Sequence, residues 1–176
     1  VEMMGGSISA ESTYGQGSTF KVSLPKVLGD SANIADSGSA SQAMYNWKAR
    51  VLVVDDNEIN LTVASSLLEH FGISCDVASS GEAAIRLAGQ TEYDLIFMDH
   101  IMPGLDGVQT TELLRKTGVH NKRVPTVALT ANIQPEARAS FFTAGMNDVL
   151  AKPIDIEMMQ AVLYKWLPES SRIELL

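Results

Sequence analysis

The sequence predicts an α/β fold, a five-stranded parallel sheet with helices on both faces. Three observations carry this. Between residues 51 and 166 short apolar runs alternate with stretches of helical periodicity, five times over. The runs are almost continuously apolar, as Val51–Val54 and Leu95–Met98 illustrate, which is the pattern of parallel strands buried on both faces. The first helical stretch is closed by Gly72, the residue type that ends helices in a left-handed turn.

Taken in order, the first strand, Val51–Val54, is followed by Ala64, Leu67, Leu68 and Phe71 at helical spacing. A second strand over Cys75–Ala78 precedes a helix over Glu82–Ala88, and a third, Leu95–Met98, precedes a helix around Val108–Lys116. The fourth unit pairs strand Thr126–Leu129 with helix Pro135–Ala144, and the fifth pairs strand Asp148–Ala151 with helix Asp155–Trp166. Asn57 and Asp106 stand where helix caps are expected. Residues 27–47 are dominated by Ser, Ala, Gly, Asn and Asp, with Asp30 and Asp36 as their only charges, which predicts a flexible linker. Ahead of it, Ile8 and Ala10, then Gly15-Gln16-Gly17, then the alternation from Thr19 to Leu24 predict a β-hairpin too small to be a stable domain alone. The expected divisions are 1–26, 27–47, 48–168 and a tail, 169–176.

With 176 residues, 45% of them hydrophobic, the chain can bury a substantial core. Its apolar runs are too short to cross a bilayer and none opens the chain as a signal segment, so a cytoplasmic location without membrane contact is expected. The single Cys75 provides neither a disulfide framework nor a zinc site. Thirteen basic against 21 acidic residues give a net charge of −8 with no Lys/Arg cluster, which argues against a nucleic-acid partner.

In an open parallel sheet, ligands gather beyond the carboxyl ends of the strands, where the strand order reverses. Strand one ends in Asp55-Asp56, strand three in Asp99, strand four in Thr130 and strand five in Lys152-Pro153. All fall on one rim. Three carboxylates in a partly dry site repel one another, so a proton or a cation must be shared among them. An all-oxygen set with few carboxylates suits Mg²⁺, which keeps waters and a position for a phosphate. Lys152 offers a point charge and Thr130 a hydroxyl for phosphoryl oxygens, and one carboxylate can then serve as nucleophile. Asp99 is the candidate, because Asp55 and Asp56 are neighbours that together would hold the ion.

The stretches Val51-Leu-Val-Val-Asp-Asp-Asn57, Met98-Asp-His-Ile-Met-Pro-Gly-Leu-Asp-Gly107, Ala128-Leu-Thr-Ala131 and Ala151-Lys-Pro-Ile154 resemble the receiver domains of two-component systems over about residues 48–168. The resemblance implies a flavodoxin-like fold with strand order 2-1-3-4-5 and Asp99 as the site of an aspartyl phosphate. It also implies Mg²⁺ bound by Asp56, Asp99 and the main-chain carbonyl of Ile101, with Asp55 acting largely through water. Thr130 and Lys152 would bind phosphoryl oxygens, and the Lys152–Pro153 bond would be cis. Implied partners are the phosphohistidine domain of a histidine kinase, on the same or another chain, and a downstream histidine phosphotransfer protein. The opening Met3-Met-Gly-Gly-Ser-Ile8 and Gly15-Gln-Gly-Ser-Thr-Phe20, ending in Leu24-Pro25, resemble the last strands of a histidine-kinase ATPase domain. A hybrid sensor kinase, itself able to be membrane-anchored, would then be the parent protein. The nucleotide-binding boxes of that domain are missing, so kinase activity is not expected within these residues.

The chain departs from the receiver pattern at Val149, where the family usually carries an aromatic switch residue. His70, His100 and His120 invite catalytic roles but are scattered singly, and Met98, Met102 and Met146 are expected to fill gaps. Ile101 and Asn132 lie beside the pocket and are expected to affect the phosphoryl lifetime. Two other functions compete. A Mg²⁺-dependent aspartate-nucleophile phosphatase would carry Asp-x-Asp on strand one, a spacing that Asp55-Asp56-Asn57 breaks. A docking module that is never phosphorylated would leave the electrostatic cost of the acidic trio without an offset.

Overall fold

The computed structural model describes residues 7–13, 17–23, 25, 45–117, 121–131 and 135–174. The chain divides into two compact units, Val1–Gln42 and Ala43–Leu176. In the first, β1 (Ser7–Thr13) and β2 (Gly17–Ser23) pair antiparallel as the expected hairpin, with Ile8 opposite Val22 and both more than half exposed.

The second unit holds β3 (Tyr45–Trp47), β4 (Val51–Val54), α1 (Glu58–His70), β5 (Cys75–Ala78), α2 (Gly81–Gln90), β6 (Leu95–Asp99), α3 (Gly107–Thr117), β7 (Thr126–Thr130), α4 (Pro135–Thr143), β8 (Asp148–Ala151), α5 (Ile156–Trp166) and β9 (Arg172–Glu174). Five strands form one parallel sheet in the order β5-β4-β6-β7-β8, the predicted 2-1-3-4-5. Successive strand residues face opposite sides. Val51, Val53, Phe97, Val127 and Leu129 pack with Leu61, Ala64 and Leu68 of α1 and Met159, Val162 and Leu163 of α5. Leu52, Val54, Ile96, Met98 and Ala128 pack on the other face with Ala84 and Ala88 of α2, Leu114 of α3 and Phe141 of α4. The apolar runs are continuous because each strand serves both layers.

The helix ends follow from local chemistry. Asn57 accepts a hydrogen bond from the Ile59 amide at 2.9 Å, and Asp106 and Gln109 cap α3 reciprocally, at 2.7 and 3.2 Å. Gly72 takes φ of 71°, and its amide and that of Ile73 close back on the carbonyls of Glu69 and Leu68, ending α1 in a Schellman turn that turns the chain toward β5.

Two stretches expected as the end of a linker and as a tail are strands instead. Tyr45–Trp47 pairs antiparallel with Arg172–Glu174, and Trp47 is 3% exposed. The Arg172 guanidinium lies 5.1 Å from the Trp47 ring and 4.7 Å from that of Tyr164, whose ring meets Trp47 edge-on at 5.4 Å. Burial of an indole and a cation between two rings explains why these flanks are ordered. The rest of the expected linker, His120 and Asn132 lie outside the described residues. No helix among the described residues is long and apolar enough to cross a membrane.

Candidate functional site

The parallel register brings the carboxyl ends of the strands level, with Val54 beside Met98, Asp99 beside Leu129 and Thr130 beside Ala151. Asp55 leaves β4 and Asp99 ends β6, one on each side of the point where the strand order reverses. Asp55, Asp56 and Asp99 each present a carboxylate oxygen within 4.8 Å of the others. Asp55 and Asp99 are 1% and 6% exposed, whereas Asp56 is exposed.

Lys152 crosses to this cluster from the end of β8. Its ammonium lies 2.5 Å from Asp55 Oδ2 and 2.9 Å from Asp99 Oδ1. The Lys152–Pro153 bond is cis. Burial pulls the Lys152 ammonium toward its neutral form, but hydrogen bonds and charge from Asp55 and Asp99 outweigh it and hold the pKa above the usual value. Burial pushes the Asp99 carboxyl above the ordinary carboxylate range, and the opposing pull of Lys152, divided between two partners, does not cancel it. Asp55 and Asp99 therefore share one ammonium, and with exposed Asp56 beside them the acidic groups outnumber the one lysine.

Thr130 is fully buried at the end of β7, and its carbonyl accepts the Lys152 amide at 2.8 Å, which ties the two strand ends together. The loop after Asp99 folds tightly back on the strand. At Gly107 a Cβ would stand 2.2 Å from the Asp99 carbonyl and 2.9 Å from His100 Cα, so this close return needs glycine. The Ile101 side chain is 70% exposed on that loop, while Met102 is buried. His100 has its Nδ1 3.4 Å from the Leu129 carbonyl and its ring edge-on to Phe141 at 5.3 Å, and its charge acts weakly on Asp99. His70 ends α1, exposed, against Phe71. Val149 is half-buried against the core layer that holds Phe141, as an ordinary strand residue. Cys75 hydrogen-bonds Ser65 at 3.3 Å, and burial raises its thiol pKa.

One residue was not singled out from sequence. Asn60 donates its amide to both oxygens of Asp55, at 3.0 and 3.2 Å, and Asp55 also accepts the Asn57 amide at 2.9 Å. Asn60 is the third residue of α1, the position from which side chains reach back over a helix start, and that is the signal by which it could have been found. Asn60 and Asp55 line a cleft of about 130 Å³ together with Val63, Leu129, Lys152 and Ile154.

A doubly wound parallel sheet with an acidic trio, a lysine and a threonine on its reversal rim defines an open α/β domain with a charged site at its strand ends. The profile described as "Response regulator receiver domain" matches residues 51–164, and the chain belongs to this family of two-component signalling domains. It is 36% identical over 165 residues to the aerobic respiration control sensor protein ArcB of Escherichia coli K12, covering 93% of this chain and 21% of that protein. It is 34% identical over the same length to the sensor histidine kinase AruS of Pseudomonas aeruginosa, covering 93% and 16%. The chain thus spans about a fifth or less of these relatives. Matches of that length extend beyond the receiver into the N-terminal hairpin. Among solved structures, the receiver domain of the P. aeruginosa sensor histidine kinase PA1611, described with a magnesium ion in its active-site cleft, superposes with a TM-score of 0.63 at 38% identity over 67% of this chain and 96% of that one. The chemotaxis protein CheY4 of Vibrio cholerae gives 0.65 at 28% identity, over 68% and 98%. The phosphatase alternative is not favoured by these findings.

Proposed function

We propose that this receiver accepts a phosphoryl group from a kinase phosphohistidine onto Asp99, with Mg²⁺, and passes it to a histidine phosphotransfer protein. The observation that carries the reading is the unequal sharing of Lys152. A buried Asp99 carboxylate stands at the strand end with only part of one ammonium to balance it. In the reaction an Asp99 oxygen attacks phosphorus as the bond from phosphorus to the histidine nitrogen breaks, and the imidazole leaves with the electron pair. Lys152 turns to the transferred phosphoryl oxygens, and the Thr130 hydroxyl donates to another.

Only oxygen donors converge at the acidic trio, and their charge exceeds what Lys152 supplies, which fits a hard divalent cation. Asp56, Asp99 and the Ile101 carbonyl would hold Mg²⁺, with Asp55 alongside. The bound ion would neutralise charge on the phosphoryl oxygens.

Residues 1–26 are read as the end of a histidine-kinase ATPase domain, joined by the linker to the receiver at 48–168. Two features support this: the long sensor-kinase matches, and the exposed Ile8–Val22 pair of a hairpin too small to stand alone. The parent would be a protein histidine kinase whose receiver works in the cytoplasm. To test the site, the chain is treated with a small-molecule phosphodonor and Mg²⁺, then with borohydride, which reduces an aspartyl phosphate to homoserine. Peptide mass spectrometry is expected to find homoserine at position 99 and no phosphoryl uptake in Asp99→Asn. Reduction at another residue would overturn the assignment.

A further inference from the structure

Asp55 is buried, and every direction from which its carboxylate can accept a hydrogen bond is taken by the protein. Oδ1 accepts the Asn57 amide at 2.9 Å and the Asn60 side-chain amide at 3.0 Å, and Oδ2 accepts Asn60 at 3.2 Å and the Lys152 ammonium at 2.5 Å. An ionised carboxylate has about four acceptor sites. The side-chain orientation of Asn60 is fixed by chemistry, because an acceptor-only carboxylate must face its NH₂ group. Of these donors only Lys152 has a second engagement, with Asp99 at 2.9 Å. For Lys152 to serve a phosphoryl oxygen it must loosen its hold on Asp55, and a buried carboxylate left with a missing partner is costly and free to turn.

We propose that Asn60 is a positioning residue for phosphoryl acceptance, and that its amide, spanning both Asp55 oxygens, keeps that carboxylate aimed into the site while Lys152 moves to the incoming phosphoryl group. The inference rests on the assignment of Asp55, Asp56, Asp99 and Lys152 given above. Three features make Asn60 suited to the role. It is neutral, so it adds no charge to compete with the cation or the phosphoryl group. It sits in the first turn of α1, a rigid element packed on the sheet through Leu61 and Ala64. Its side-chain hydrogen bonds to the trio go to Asp55, so it acts through that residue and not on the reacting atoms. Lys152 is then the mobile donor and Asn60 the fixed one. On transfer, Asp55 Oδ2 would lose the ammonium while Oδ1 keeps both of its amides, so the carboxylate would stay in place to help hold a cation.

The test compares Asn60→Ala, which deletes the donor, with Asn60→Asp, which keeps the shape but turns a donor toward Asp55 into a fourth carboxylate. Mg²⁺ affinity is measured by amide chemical-shift titration, and the rate of phosphoryl uptake is measured against phosphodonor and Mg²⁺ concentration. Loss of a partner that orients a metal-site carboxylate costs on the order of 10-fold in affinity. Asn60→Ala is therefore expected to weaken Mg²⁺ by roughly that factor. Its maximal uptake rate should also fall when Mg²⁺ is saturating, because Lys152 is then held back by an unsupported Asp55. Asn60→Asp is expected to lower the maximal rate further. A role confined to stability would reduce the melting temperature while leaving Mg²⁺ affinity and the saturated rate unchanged, and that result overturns the proposal. Should Asn60→Ala fail to fold, the shape-conserving Asn60→Asp decides alone, and wild-type rates in it count against the proposal. Failure of the wild-type chain to take up phosphate would instead sink the site reading on which the inference rests.

Discussion

At the level of single residues, Asp99 is the buried carboxylate whose charge is least balanced. The folded state holds the Asp99 proton to higher pH than the unfolded chain does, because burial opposes its charge. Between the unfolded and folded pKa values the fold binds more protons, so stability falls as pH rises through that window, and above it the ionised carboxylate is a standing cost. Asp99→Asn removes this cost while Lys152 keeps Asp55 as partner. Its melting temperature in chelator is expected to exceed the wild type's by a few degrees at neutral pH, the gain shrinking as pH drops below the ordinary aspartate range. A lower melting temperature at neutral pH would contradict the charge balance described here. Readout is a second question at this scale. Val149 has no hydroxyl and too little volume to alternate between exposed and buried rotamers, so we propose that the response to phosphorylation depends on Thr130 and Lys152 and not on Val149. Thr130→Ala should permit phosphorylation but blunt the amide shifts induced by beryllofluoride and Mg²⁺, whereas Val149→Ala should change them little. The reverse pattern would overturn this reading and assign the response to Val149.

Among the elements, the β3–β9 pair closes the receiver where its chain enters and leaves. Trp47 sits at the amino ends of the central strands, opposite the carboxyl rim, with its amide bonded to the Phe71 carbonyl at 3.2 Å. Trp47→Ala should cost about 3–5 kcal/mol in urea unfolding, the usual range for a buried large aromatic, yet leave phosphoryl uptake per folded molecule unchanged. A loss below 1 kcal/mol would mean that the pair is only superficial. The five strand-helix units were legible in the sequence because apolar strand runs alternate with helical stretches, and the convergence of Asp55, Asp56, Asp99 and Lys152 was legible because strand ends fall on one rim by topology alone. The β3–β9 pair was not legible. Three residues are too few to show a period, and the partners come from opposite ends of the receiver. Arg115 was hidden for the same reason. Its half-buried guanidinium bonds the Gly145 carbonyl at 2.9 and 3.1 Å, Thr126 Oγ1 at 3.0 Å and Asn147 Oδ1 at 3.3 Å, without a carboxylate among them. Asn60 reads from sequence as a polar surface residue, because its use depends on a helix start that folds back over Asp55.

For the whole receiver unit, the fold places an acidic trio and one shared ammonium at the reversal point of the parallel sheet, and the proposed chemistry rests on that imbalance. The core is large enough to fold without an ion, so excess chelator is expected to leave the melting transition in place. The most direct measurement is the intact mass of the wild-type chain after exposure to a small-molecule phosphodonor, with Mg²⁺ and with excess chelator. A single phosphoryl mass is expected with Mg²⁺, none in chelator, and none in Asp99→Asn under either condition. Undiminished uptake in chelator, or uptake by Asp99→Asn, would contradict the account.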